Sequence, residues 1–291
     1  MSLIVAVVGP GNMGAAVARR LTEHGVEVLT TLAGRGAASV ARAEAAGMVD
    51  VPFDSLTRAE IVLSILPPTQ AMGFAERMAS VLAARATGAP RSAEHEPVFV
   101  DCNAVSPETV QGIGAVVAGA GAPFVDGSII GLPPKTGQVG PRLYISGDRD
   151  GVARVQVLPG HGLDVRVLEG PVGTASALKM SFAGINKGVA AIASAMILAA
   201  ARAGTAAALY QEMSESLPGL LESLRRQVPD MLPKAYRWVA EMREIAAFAG
   251  EDAAARQVYE GFAELFDRVS RDAAGEKRES SALTGFLADR K

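Results

Sequence analysis

The sequence holds one cysteine, Cys102, so no disulfide can close within the chain, which favours a reducing, cytoplasmic setting. No Cys/His arrangement accompanies it, and it reads as a small core residue at a strand end. Histidine is nearly as scarce, at three residues. His24 precedes Gly25, His161 lies between Gly160 and Gly162, and neither has metal-ligand company. His95 falls in a polar stretch from Thr87 to Glu96 that reads as a solvated surface loop, so no metal site is expected. Positive charge is not in excess: 28 Lys and Arg stand against 31 Asp and Glu. That balance gives no footprint for nucleic acid. The longest apolar run, Gly188 to Ala201, falls short of the roughly 20 residues that span a bilayer, and Lys187 and Arg202 flank it. Met1-Ser2-Leu3-Ile4-Val5 lacks the charged region and cleavage site of a signal peptide. Internal repeats, heptads and long charge runs are missing too.

What the chain does have is apolar residues, 49% of the total, enough for a packed core. Its first half alternates short β-branched runs with helix-like segments, the pattern of a parallel sheet with crossover helices. Strands are expected at Leu3–Val8, Glu27–Leu32, Ile61–Leu66, Val98–Asp101, Pro123–Asp126, Arg142–Ser146 and Asp164–Val167. Helices are expected at Asn12–His24, Ala37–Ala46, Gln70–Arg85 and Pro107–Ala118. From Thr174 the texture is helical, beginning with a helix of about thirty residues to Ala203, long for a globular domain. The expected architecture is therefore an α/β Rossmann domain, doubly wound and mostly parallel, over residues 1–169. An all-α domain for substrate and dimer contacts follows over 170–291.

Between the first strand and first helix lie Gly9, Pro10, Gly11, Asn12, Met13 and Gly14, a Gly-x-Gly-x-x-Gly loop. Gly9 permits the tight turn, Gly11 lets the backbone approach a pyrophosphate, and Gly14 lets helix and strand pack closely. The helix N-terminus then offers free N–H groups to the phosphates. An NAD site normally carries an acid at the end of the second strand. Here Thr30-Thr31-Leu32-Ala33-Gly34-Arg35 has none, while Arg35 can clamp a 2′-phosphate and Thr31 can add a hydroxyl. NADP(H) is the expected cofactor, ahead of NAD(H).

With these motifs the chain resembles the β-hydroxyacid dehydrogenase superfamily, which includes 6-phosphogluconate and 3-hydroxyisobutyrate dehydrogenases and, more distantly, imine reductases. Gly9 to Gly14 resembles that family's cofactor loop. Ile65-Leu66-Pro67 resembles the strand end along the cofactor path, and Asp101 to Pro107, with Asn103, the segment near the nicotinamide. Gly170 to Lys179 resembles the stretch whose lysine is the family's acid/base. The last hundred residues resemble a less characterised, phosphogluconate-dehydrogenase-like branch.

The resemblance implies hydride transfer between nicotinamide and a hydroxy acid or related carbonyl compound, with Lys179 as acid/base. Positions 179, 183 and 186 share a helical face, so Asn186 is a candidate to hold a substrate oxygen. Asn103 and Ser128 are candidate hydrogen-bonders in a cleft loop, and Lys187 is a candidate substrate cation. The sequence also departs from the family. Ile130-Gly131-Leu132 replaces its serine-glycine-glycine substrate loop, Ala183 replaces an asparagine, and Asn186 replaces the glutamate acid of 6-phosphogluconate dehydrogenases. Ile130 and Leu132 suggest a bulkier, more apolar substrate than 3-hydroxyisobutyrate. An imine reductase and a dinucleotide-binding protein without turnover remain open as alternatives. The apolar faces of the long helix suggest a homodimer.

Overall fold

The computed structural model describes residues 3–86, 96–134 and 140–288. It divides into two units, Met1–Lys179 and Met180–Lys291. The expected loop at residues 87–95, with His95, lies outside the described residues.

The first unit is built on one sheet. Its elements are β1 (Ile4–Val8), α1 (Asn12–Thr22), β2 (Glu27–Thr30), α2 (Ala37–Ala45), β3 (Val49–Asp50), β4 (Ile61–Ser64), α3 (Pro68–Ala86), β5 (Val98–Asp101) and α4 (Pro107–Gly119). There follow β6 (Phe124–Ile130), β7 (Arg142–Gly147), α5 (Arg149–Val155) and β8 (Asp164–Val167). The strand order is β3-β2-β1-β4-β5-β6-β7-β8. The first six strands are parallel; β7 runs antiparallel to β6, and β8 parallel to β7. The chain therefore reverses its winding between β1 and β4, the switch point where a doubly wound sheet opens a crevice at its carboxyl edge.

Strands buried on both faces explain why β1, β4 and β5 read as unbroken apolar runs rather than alternating ones. One face packs Val5, Val7, Leu21, Val28, Leu63 and Ile145 into a core. The other packs Ala6, Val8, Leu56, Met78 and Ile113 around Phe53, Phe74, Phe99 and Phe124, whose neighbouring rings sit 5.6–5.9 Å apart. Ser106 starts α4 by accepting a hydrogen bond from the Thr109 N–H, with Pro107 at the first helical position.

Three features differ from the sequence expectation. β3, two residues long, was not expected, and neither was α5, whose start Asp148 caps by accepting from the N–H groups of Asp150 and Gly151. More consequentially, β6 does not stop at Asp126 but continues to Ile130, pairing with β7 throughout. A Cβ on Gly127 would meet Val100, the Asp101 carbonyl and the Cys102 sulfur at 2.9–3.0 Å. The glycine permits close strand packing rather than ending the strand.

The second unit is helical. α6 (Thr174–Arg202) crosses into it, and α7 (Ala206–Ser216), α8 (Pro218–Met231), α9 (Ala235–Phe248), α10 (Ala253–Ala274) and α11 (Arg278–Leu287) follow. The division falls inside α6 rather than at residue 170, because the first turns of that helix are hydrogen-bonded to the sheet. In α8 the buried residues Leu221, Leu224, Val228 and Met231 form one stripe. Trp238 meets Phe266 edge-on at 5.2 Å and Met242 is fully buried, whereas Tyr236 is exposed. Gly184 and Gly188 lack the side chains that would collide with or crowd Tyr259 and Phe262, so α10 lies close on α6. By length and composition α6 is apolar enough to cross a membrane, and 44% of its most apolar window is buried within the protein. Its outer stripe of Phe182, Ile185, Val189, Ile192 and Met196 is exposed.

Candidate active site

The glycine loop sits at the carboxyl end of β1, on the switch point. Gly9 has φ +95°, and a Cβ there would strike the Ile65 carbonyl at 2.3 Å. A Cβ on Gly14 would strike the Gly9 carbonyl at 2.2 Å, so α1 packs directly on the turn. Gly11 is different. A Cβ there meets nothing within 4 Å, so packing inside the protein gives no reason for a glycine. Open space at that residue, beside a helix start without a side-chain cap, fits the approach of a pyrophosphate. The first helical bond runs from the Ala15 N–H to the Gly11 carbonyl. The N–H groups of Asn12, Met13 and Gly14 thus precede the ladder, as an anion site requires. The residues fit a dinucleotide.

Beyond β2, Thr31 is buried and Arg35 half-buried in a turn closed by its N–H on the Leu32 carbonyl, 2.9 Å. Among the described residues no carboxylate pairs with Arg35. Two neighbours were not foreseen. Arg42 of α2 donates from Nε to the Pro10 carbonyl at 2.9 Å. Asp50, ending β3, accepts from the Leu32 N–H at 2.8 Å, so an acid does stand near the end of β2. It comes from the neighbouring strand, and the only signal available was the turn of β-branched residues at Val49 and Val51.

At the ends of β4 and β5, Asn103 is almost wholly buried and its amide makes three hydrogen bonds. Its oxygen accepts from the Leu66 N–H, and its nitrogen donates to Ser64 Oγ (2.9 Å) and Asp101 Oδ2 (2.7 Å). Asn103, expected near the nicotinamide, fastens β4 to β5 and so positions Leu66 and the exposed Pro67. Burial raises the Asp101 carboxyl to about 7, with nearby Asp126 adding to the rise and hydrogen bonds from Asn103 opposing it. Burial, with Asp101 and Asp126 beside it, also pushes the Cys102 thiol well above its ordinary value, so it stays protonated and unreactive.

The start of α6 is tied to β6 and β7 by Asp126. Its buried carboxyl group accepts from the Gly173 and Ser176 N–H groups and from the hydroxyls of Ser146 and Ser176, at 2.7–3.1 Å. This anchoring places Lys179, whose Nζ donates to the Ile129 carbonyl at 2.7 Å. Burial lowers its pKa to about 8. A lysine near neutrality at this strand end can accept or release a proton at working pH.

The structure does not gather the remaining candidates in the expected way. Ser128 and Ile130 lie within β6, not in a loop, and both are buried; the Ser128 hydroxyl has no partner among the described residues. Only Gly131, at φ +132°, and Leu132, 81% exposed, continue onto an open surface. In the helical unit Asn186 is exposed, its amide oxygen accepting from Gln227. Lys187 is committed to Glu241 and lies over the Trp238 ring at 4.9 Å, which argues against a free substrate cation. The Glu241 partner was invisible in sequence, because it depends on how α9 packs on α6.

A glycine loop at the switch point of a doubly wound sheet defines a dinucleotide-binding fold. Residues 4–158 match the NAD binding domain of 6-phosphogluconate dehydrogenase, and the chain belongs to that family, within the β-hydroxyacid dehydrogenase superfamily. Residues 200–269 match a domain of unknown function, DUF1932. Comparison with curated proteins finds no match. Among solved structures, one similar chain is a conserved protein of unknown function with described similarity to 3-hydroxyacid dehydrogenases. It is 27% identical, with 94% of this chain and 98% of that one covered and a TM-score of 0.66. Mycobacterium tuberculosis 3-hydroxyisobutyrate dehydrogenase with L-serine is 16% identical, covering 99% and 100%, with a TM-score of 0.70. A Myxococcus stipitatus imine reductase in complex with NADP+ is 17% identical, covering 98% and 100%, with a TM-score of 0.52. The match assigns the chain to a nicotinamide-dinucleotide-binding family.

Proposed function

We propose that this chain moves hydride between NADP(H) and a hydroxy-acid-like alcohol or its carbonyl counterpart, with Lys179 as the acid/base. The observation that carries the reading is the half-buried Lys179 amine, held at the end of β6 with a pKa lowered to about 8. Nicotinamide supplies the hydride acceptor or donor. For oxidation, neutral Lys179 takes the hydroxyl proton as the carbon–hydrogen bond is broken. For reduction, protonated Lys179 returns that proton to the nascent alkoxide. The Ile129 carbonyl fixes the amine and leaves its remaining hydrogens for a substrate oxygen. A screen for NADPH oxidation and NADP+ reduction over hydroxy acids, keto acids, aldehydes and cyclic imines tests the reading. Turnover confined to cyclic imines favours the imine reductase alternative, and no turnover on any class favours a binding protein.

The NADP(H) preference rests on Arg35, a guanidinium without a carboxylate partner among the described residues. Asp50 supports the opposite reading, since an acid beside β2 suits the ribose hydroxyls of NAD(H). We favour NADP(H) because the Asp50 carboxylate is already engaged by the Leu32 N–H. The exposed Leu132 makes the substrate bulkier and more apolar than 3-hydroxyisobutyrate, each buried methylene contributing about 0.8 kcal/mol. The exposed apolar stripe on α6 supports a homodimer, which sedimentation at micromolar concentration tests; monomer alone rules it out. A cytoplasmic location fits the lone, buried, protonated cysteine.

A further inference from the structure

We infer that Arg42 is a positioning residue for the cofactor loop: it locks the peptide between Pro10 and Gly11 in the orientation that dinucleotide binding needs. The inference rests on the glycine loop as the cofactor site, not on the choice between NADP(H) and NAD(H). That peptide is anchored at both ends. Its carbonyl, from Pro10, accepts from Arg42 Nε at 2.9 Å. Its N–H, from Gly11, donates to the Gly9 carbonyl at 2.7 Å. The guanidinium is itself braced, Nη2 donating to Ser39 Oγ at 3.0 Å one turn earlier on α2.

The lock matters because of what surrounds it. A peptide flanked by a glycine on its carboxyl side flips readily, since no Cβ opposes the new ψ and φ. Proline at position 10 fixes only its own φ and has no N–H with which to fasten the loop. Gly11 has open space around its Cα, so packing does not hold it either. A flip would turn the Pro10 carbonyl toward the phosphates, where its partial negative charge repels them. With Arg42 in place the carbonyl is held toward α2. The N–H groups of Asn12, Met13 and Gly14 remain clear to receive the pyrophosphate. No ion pair to Arg42 is present among the described residues, so its charge also stays available to the loop.

Pyrophosphate is common to both cofactors, and this sets the test. Arg42→Ala should weaken NADPH and NADH by the same factor, about tenfold for one charge-assisted hydrogen bond with its locked peptide. Arg35→Ala should weaken NADPH alone. Arg42→Lys, which still reaches a carbonyl with one donor, should recover part of the loss for both. Ser39→Ala should give a smaller loss, again equal for both. Amide exchange at Gly11 in the cofactor-free protein should accelerate in Arg42→Ala and not in Arg35→Ala, at temperatures where both remain folded. Unchanged binding of both cofactors by Arg42→Ala, or a loss confined to NADPH, overturns the inference; the second result would make Arg42 a 2′-phosphate ligand. Should Arg42→Ala not fold, Arg42→Lys and Ser39→Ala carry the same comparison. If Arg35→Ala shows no selectivity while Arg42→Ala weakens both cofactors, the NADP(H) preference fails and the lock stands.

Discussion

The sheet unit and the helical unit handle their polar residues in opposite ways. In the sheet unit two buried polar clusters near the carboxyl edge are mutually satisfied, Asn103 with Leu66, Ser64 and Asp101, and Asp126 with four donors around the start of α6, while the buried Thr30 and Ser128 hydroxyls have no partner among the described residues. In the helical unit the candidates are at the surface and bonded to flexible partners, as Asn186 is to Gln227, or paired with a charge on another helix, as Lys187 is to Glu241. A satisfied buried network holds neighbouring groups rigidly, because any displacement leaves a polar atom unpaired at about 1–3 kcal/mol. The difference teaches that the sheet unit can preorganise cofactor and proton donor. The helical unit offers a more adaptable surface.

The comparison breaks first at Lys179. Replacing it with alanine should slow turnover by about 10²–10⁴ while cofactor affinity stays near that of the parent, read by single-turnover kinetics beside a fluorescence titration. The same substitution at Asn186 should cost far less, and equal losses would erase the distinction between the units. Asp126→Ala comes next. It leaves the Gly173 and Ser176 N–H groups unpaired, and should lower stability by about 3 kcal/mol or more in denaturant unfolding. A loss under 1 kcal/mol would show that α6 does not depend on this anchor. Arg35→Ala should reduce NADPH affinity tenfold or more and leave NADH unaffected, which isothermal titration resolves. The smallest effect belongs to Asp50→Asn, which keeps an acceptor for the Leu32 N–H and removes a charge. It should improve NADPH binding about twofold; weaker NADH binding instead would assign Asp50 to the ribose.

The sheet unit was largely legible in sequence, and the reason is physical. A glycine that must adopt φ +95°, or must let a helix touch a carbonyl, has no substitute, so Gly9 and Gly14 announce the loop. Doubly buried strands such as Val98–Asp101 stand out as apolar runs. What failed was local punctuation. The expected strand stopped at Asp126, and nothing in sequence says that Val100 and Cys102 lie against Gly127. Ser128 and Ile130, expected in a loop, fall within the longer strand. Asp50 and Arg42 act across eighteen and more positions of sequence, on Leu32 and Pro10, and no spacing encodes such contacts. In the helical unit only the existence of helices was readable. Which face of α6 meets α10 depends on Gly184 and Gly188, and helix pairing has no residue code as strict as that of the glycine loop.

The pKa of Lys179 ties stability to chemistry. Between about pH 8 and 10.5 the unfolded chain keeps a proton that the folded lysine has lost, so its contribution to stability grows as pH rises through that window. The most direct test of the account is the pH dependence of hydride transfer in both directions, for whichever alcohol and carbonyl pair the screen identifies. Neutral Lys179 is needed to oxidise and protonated Lys179 to reduce. The oxidation rate should therefore rise through about pH 8 to a plateau, and the reduction rate should fall through the same value. Rates independent of pH between 6 and 10, with hydride transfer limiting, would contradict the role of Lys179.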